Sequence, residues 1–154
     1  MKNEYLSKIS DYIRENGVDC ELREFPDSCH SVQEACKAAD ATPEEFVKSV
    51  CFISDGQLLV GIVGGNDRAS TKRMARLLER DEVRLATQNE VMAMTGFPAG
   101  GVPPFGYDAV FLIDENVMER RAVWAGGGSD RALIKIRPQE IKRITDANVV
   151  RIRK

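Results

Sequence analysis

The sequence predicts a mixed α/β fold of the α+β kind. Residues 1–154 are expected to form one domain, with a curved, barrel-like, mostly antiparallel or mixed sheet surrounded by short helices. Three observations lead there. Apolar runs of strand length recur along the chain, separated by Gly, Pro, Asp and Asn turn signals. Helix-start signatures precede only short amphipathic stretches. The strands are spaced too unevenly for a regular doubly wound array.

Residues 3–16 read as an amphipathic helix with Leu6, Ile9 and Ile13 on one face, joined by Tyr5 and Tyr12, and with Gly17 as its C′ residue. Val18, Cys20 and Leu22 alternate with Asp19, Glu21 and Arg23 as a half-buried strand that ends by Pro26. Ser31 to Glu34 is a capping box for a helix over 32–39, and Thr42-Pro43-Glu44-Glu45 starts a second short one. Residues 50–53 form an apolar strand, Asp55-Gly56 a hairpin turn and residues 58–63 the return. Gly64 and Gly65 break the chain. Ser70 or Thr71 caps a helix carrying Met74, Leu77 and Leu78, and residues 83–86 form a short strand. Asn89 is read as the cap of a helix to about Met94, closed by Gly96. A strand over 109–113 ends in the turn Asp114-Glu115-Asn116, and a strand over 122–125 holds the only tryptophan, Trp124. After the loop Gly126-Gly127-Gly128 come a strand over 133–136, a helix from Pro138 carrying Ile141 and Ile144, and an edge strand over 149–152.

The totals exclude several classes. A chain of 154 residues, 43% hydrophobic and 30% charged, has the composition of a soluble globular protein with a real core. No apolar run approaches membrane-spanning length, and Lys2, Glu4 and Lys8 interrupt any signal-peptide core, so a cytoplasmic location is expected. The four cysteines, Cys20, Cys29, Cys36 and Cys51, contain no C-x-x-C pair and are read as reduced thiols. Cys29, His30 and Cys36 have the ligand chemistry for a metal, but their spacing matches no common zinc pattern. The net charge of −2 gives no global attraction to nucleic acid, DNA included. The chain beyond Val117 is nevertheless basic, which leaves room for a local basic face against an RNA end.

The stretch Gly100-Gly101-Val102-Pro103-Pro104-Phe105-Gly106 is the most unusual local feature. Its composition forbids a helix interior or a central strand. A stiff loop follows, whose amides at Gly101, Val102, Phe105 and Gly106 could line a cleft as an oxyanion hole or phosphate cradle; a tight surface turn is the plainer reading. Lys48 stands at the start of an otherwise apolar strand. There it is costly to desolvate unless it reaches a cleft or a partner, or snorkels from the strand edge. The usual catalytic sets are missing: one histidine, His30, no G-x-S-x-G, no H-E-x-x-H and no Walker loop at Gly64-Gly65-Asn66-Asp67. Asp67 and Asp114 have acid–base chemistry but suit turns and caps.

An ordered set of residues carries a resemblance. It comprises Glu34-Ala35, Lys48-Ser49-Val50, Gly65-Asn66-Asp67 before a helix, Thr95-Gly96, the 100–106 loop, Ile113-Asp114, and Ala125-Gly126 before a final strand and helix. From about residue 20 onward the chain resembles the YbaK/ProX family of aminoacyl-tRNA deacylases, related to the editing domain inserted in bacterial prolyl-tRNA synthetases. The most specific parts are the Gly100-x-x-x-Pro104 loop and Lys48.

The resemblance implies trans-editing, the hydrolysis of the ester joining a wrong amino acid to the 3′-terminal adenosine of tRNA. It implies no cofactor and no metal. The partner is the aminoacyl-tRNA 3′ end, with a synthetase or elongation factor as an open choice for delivery. The implied catalytic set is Lys48, Gly100, Gly101 and Val102. The implied substrate-binding set is Ser31, Ser49, Asp67, Pro103, Pro104, Phe105, Gly106, Asp114 and Gly126. Lys48 positions the substrate through its carbonyl or the terminal phosphate, and the loop limits the size of the side chain admitted. Three positions depart from the pattern: Ser49 where many relatives have Asn or Thr, Phe25-Pro26 where several have His-Pro, and Gly127-Gly128 where some place a histidine. Ser31 stands where relatives carry threonine, and is equally a helix cap. Two alternatives stay open: a silent binding module of the same fold, and a thiol hydrolase using Cys51 or Cys29.

Overall fold

The computed structural model describes residues 4–154. Five helices, α1 (Glu4–Glu15), α2 (Val32–Ala39), α3 (Thr71–Leu77), α4 (Gln88–Thr95) and α5 (Pro138–Thr145), surround eight strands. The strands are β1 (Cys20–Glu24), β2 (Val47–Ser54), β3 (Gln57–Gly64), β4 (Arg84–Leu85), β5 (Val110–Asp114), β6 (Val123–Gly126), β7 (Ala132–Ile136) and β8 (Asn148–Val150). They form a three-stranded sheet in the order β1-β7-β6 and a five-stranded sheet in the order β4-β2-β3-β5-β8. All pairs are antiparallel except β3–β5 and β5–β8. The expected mixed sheet is thus two sheets rather than a closed barrel, tied together where Phe46 bridges Trp124.

Strand periodicity separates three cores. Val47, Cys51 and Ile53 of β2, Val60 and Ile62 of β3, and Val123, Ala125, Ile134 and Ile136 of the small sheet pack together between the sheets. The intervening residues Phe52, Leu59, Val63 and Leu112 turn to the other face of the large sheet, under Met74 of α3 and Ile152. Trp124 and Leu133 turn to the outer face of the small sheet, under α2. Alternate residues of one strand therefore serve two layers.

Local signals account for most boundaries. Ser31 accepts the Glu34 N–H and caps α2, Ser70 accepts the Arg73 N–H and caps α3, and Asp55 and Gly56 take φ of 51° and 73° in the tight β2–β3 turn. Three expectations need correction. The cap of α4 is Thr87, not Asn89, because Thr87 and Glu90 form a reciprocal capping box. The first strand begins at Cys20, since the Val18 N–H still bonds to Ile13 behind α1. The final strand is Asn148–Val150, after which the chain turns toward α3. Asn3, expected to open the first helix, lies outside the described residues.

Asp114 is a structural pin. It is fully buried at the end of β5, accepts the N–H groups of Asn116, Ile152 and Arg153, and pairs with the Arg153 guanidinium at 2.8 Å. Burial alone would raise its carboxyl, but these bonds outweigh that and hold it below the ordinary carboxylate range. Asp114→Asn should therefore lower unfolding stability by about 2 kcal/mol at neutral pH in denaturant titrations. A depressed folded-state pKa gives stability that is full above the unfolded value, about 4, so the gap to wild type should close as pH falls below it.

Candidate functional site

The site begins with the outer edge of β2. Antiparallel pairing alternates, so residues whose backbone groups do not meet β3 turn to the opposite edge. The Cys51 carbonyl does so and accepts the Ala86 N–H at 3.0 Å. Ser49, two residues earlier, shares that edge. On this edge β4 pairs only with Phe52 and Ile53, and β6 forms a bridge only at Phe46. Among the described residues no strand pairs with Ser49 on this edge, and its buried Oγ has no hydrogen-bond partner.

A cavity of about 290 Å³ opens along this gap. One wall is β2 from Val47 to Cys51. Ala125 and Gly126 of β6 form another, Ser31, Val32 and Ala35 a third, and Leu85, Ala86 and Val91 a fourth. Ala99, Gly100 and Val102 close the base. The walls are mostly apolar, and the polar groups among them are few: Lys48, Ser49, Ser31, His30, Cys29 and backbone.

Lys48 is partly buried and forms no ion pair or hydrogen bond among the described residues. Its side chain belongs to the opposite face of β2 from Ser49, so it reaches the cavity from the α3 side. Burial lowers the ammonium pKa below the ordinary lysine value, the nearby Arg68 lowers it further, and Asp67 opposes both. An unpaired cation beside an orphaned hydroxyl, at the rim of a small apolar cavity, suits a polar or anionic group of a substrate.

The glycine-rich loop is braced by its own main chain. The Gly101 N–H donates to Pro98 and its carbonyl accepts the Gly128 N–H at 2.7 Å. The Gly101 amide is therefore occupied, contrary to its expected role as an oxyanion donor. The N–H groups of Gly100 and Val102, by contrast, have no partner among the described residues. Gly126 lies so close to the Val102 carbonyl that a β-carbon there would collide with it.

Of the residues the sequence singled out, the structure brings Ser31, Lys48, Ser49, Gly100, Val102 and Gly126 around one cavity. Cys29, His30 and Cys51 line it too, while Gly101, Asp67, Pro103, Pro104, Phe105, Gly106 and Asp114 stand outside. Phe105 is fully buried and stacks on Tyr12, 5.5 Å between centroids, because α1 covers this part of the loop. Gly106 sits against Ile9 and Tyr12, and the Pro103 carbonyl accepts the Tyr107 hydroxyl at 2.6 Å. Pro104 is likewise buried. Asp114 is engaged in its pin. Asp67 lies over Gly64, beside Lys48 rather than in the cavity.

His30, noted in the sequence as a possible metal ligand and as the one histidine, is not among the implied substrate-site residues. It lines the cavity, and its imidazole packs on Gly100, leaving no room for a β-carbon there. Only the long-range approach of α2 to the loop creates this contact, so no local signal announced it. The cysteines remain free. Burial pushes the Cys51 thiol up to about 11, and burial followed by Glu34, Asp130 and Asp27 raises Cys29, so neither is a ready thiolate.

Residues 26–144 match the family model described as the aminoacyl-tRNA editing domain. The uncharacterized protein YwhH of Bacillus subtilis is 28% identical over 143 residues, covering 92% of this chain and 88% of that protein. The proline–tRNA ligase of Oleidesulfovibrio alaskensis is 26% identical over 116 residues, 75% of this chain but only 20% of the ligase, so the chain spans about a fifth of that relative. A crystal structure of a protein proposed as a trans-editing enzyme for prolyl tRNA synthetase superposes with a TM-score of 0.91 at 29% identity, covering 100% of this chain and 99% of the other.

The electrostatic account of Lys48 predicts a measurable shift. In Asp67→Asn the Lys48 amine should titrate at lower pH than in wild type, and in Arg68→Gln at higher pH, followed by NMR of dimethylated lysines. An Asp67→Asn curve that overlays wild type would remove Asp67 from its surroundings.

Proposed function

The chain belongs to the aminoacyl-tRNA editing domain family, and from that premise we propose that it is a deacylase. It hydrolyses the ester of a mischarged aminoacyl-tRNA in trans, with residues 1–154 as the working unit. The observation that carries this reading is the cavity at the outer edge of β2, lined by Lys48, Ser49, Gly100 and Val102, with the Ser49 hydroxyl and the Gly100 and Val102 N–H groups unpartnered among the described residues. In the proposed reaction, water adds to the ester carbonyl carbon and gives up a proton to solvent; a ribose hydroxyl that added instead would only move the acyl group to a new ribose ester, which water must still cleave. The carbonyl oxygen becomes an oxyanion, and collapse expels the ribose oxygen, which takes up a proton. The amides of Gly100 and Val102 face the developing charge. Lys48 holds the carbonyl or the terminal phosphate. Ser49, with an unused hydroxyl, and Ser31 contact the aminoacyl group, while Gly126 lets the loop close on the cavity. The loop and the apolar walls limit the side chain admitted, so that a small amino acid enters and a larger one is excluded. The reading asks for no cofactor and places the protein in the cytoplasm with its tRNA, delivered by a synthetase or an elongation factor.

A silent binding module remains the second reading, favoured by the occupied Gly101 amide. Deacylation of tRNAs charged with alanine, cysteine, serine, threonine and proline separates the two. Selective release of one amino acid, slowed on the order of 100-fold by Lys48→Ala, supports the deacylase. Binding of a non-hydrolysable aminoacyl-adenosine without release from any tRNA supports the module. Gly126→Ala should also slow release, because its β-carbon pushes the Val102 carbonyl out of place; equal rates in the variant would remove the loop from the mechanism.

A further inference from the structure

Beyond β8 the chain turns back against the loop that precedes α3. Ala69 bridges Arg153, the Ser70 N–H donates to Ile152 at 2.7 Å, and the Lys154 N–H donates to the Arg68 carbonyl at 2.8 Å. This pairing gathers Arg68, Lys72 and Lys154 from two distant parts of the sequence. All three are exposed, and none forms an ion pair or side-chain hydrogen bond among the described residues. Of the carboxylates nearby, Asp114 and Glu115 face Arg153 at 2.8 and 3.9 Å, and Asp67 lies over Gly64, near Lys48. The first turn of α3 carries no acid.

The cluster is continuous with the cavity. Gly64 pairs with Val47 and Val63 with Lys48, so the chain leaving β3 passes directly beside Lys48 before reaching Arg68. Arg68 is close enough to disfavour the charge on Lys48. In the basic C-terminal third Arg137 pairs with Asp19 and Arg143 with Glu140, while exposed Arg121, Lys142 and Arg151 form no ion pair among the described residues. What sets Arg68, Lys72 and Lys154 apart, in a chain of net charge −2, is their place together beside the cavity rim.

We infer that Arg68, Lys72 and Lys154 form a track for the sugar–phosphate backbone of the RNA that enters the cavity, with Lys48 at its inner end. The inference rests on the deacylase reading and adds the side from which the acceptor arm approaches: the α3 face of the large sheet, away from the glycine-rich loop. Contacts to phosphates carry no base information, so the track supplies affinity and orientation while the cavity chooses the amino acid.

The test compares wild type, Lys72→Gln/Lys154→Gln, and the control Lys142→Gln on α5, using charged tRNA and 3′-aminoacyl-adenosine. The double variant should raise KM for charged tRNA about tenfold with kcat unchanged, and reduce the log–log salt slope by about two. It should leave aminoacyl-adenosine hydrolysis and the Lys142→Gln control untouched. Wild-type KM and slope in the double variant would overturn the track while leaving the deacylase reading intact. Should wild type hydrolyse neither substrate, binding of uncharged tRNA decides. A slope reduced by about two in the double variant keeps the track without catalysis, and an unchanged slope or no binding by wild type overturns it.

Discussion

The unpaired edge of β2 governs this molecule. A strand edge inside a folded domain leaves N–H and C=O groups that must be paired, covered or given to water. Here the edge is covered at both ends, by the bridge from Phe46 to Trp124 and by β4 at Phe52 and Ile53. The interval between them is left open. The two sheets can separate there because Gly126 ends β6, and the cavity forms in the separation. The cost of leaving Ser49 unsatisfied is local, and the pairing of β2 with β3 along its whole length holds the strand in place against it.

The same strand explains why the polar groups approach from two sides. Successive residues of β2 point to opposite faces, so Lys48 and Ser49 cannot act from one direction. Lys48 emerges among the residues under α3, and Ser49 among those between the sheets. A ligand bound at the edge is met by a cation on one flank and a hydroxyl on the other. Sequence neighbours thus become opposing walls.

Much of this was legible in the sequence. The alternation in β1, the apolar runs of β2 and β3, the Asp55-Gly56 turn and the caps at Ser31 and Ser70 are local signals, and local physics decides them. The error at Asn89 had a local remedy, since Thr87 and Glu90 already spell a capping box. The site was legible only in part. Lys48 stood out because a lysine in an apolar strand demands a reason, and the 100–106 loop because its composition excludes regular structure. Which part of that loop faces the cavity was decided by α1, which buries Phe105 beneath Tyr12. The contact of His30 with Gly100 and the bond from Arg153 to Asp114 join segments far apart in the chain, and nothing in either local sequence encodes them.

The base of the cavity carries little side chain: Ala99, Gly100 and Val102 form it, Gly126 is pressed on the Val102 carbonyl, and Gly101 is tied to Gly128. A surface built of small residues on a braced loop has little side chain to trim or lengthen. Drift in sequence can therefore not deepen this end of the chamber by small steps, and a substitution there breaks the loop instead of reshaping it. Any divergence in what the chamber accepts must be written on its sides, in residues such as Val32, Ala35, Leu85 and Val91. The depth of the chamber is inherited with the fold, while its width is free to evolve.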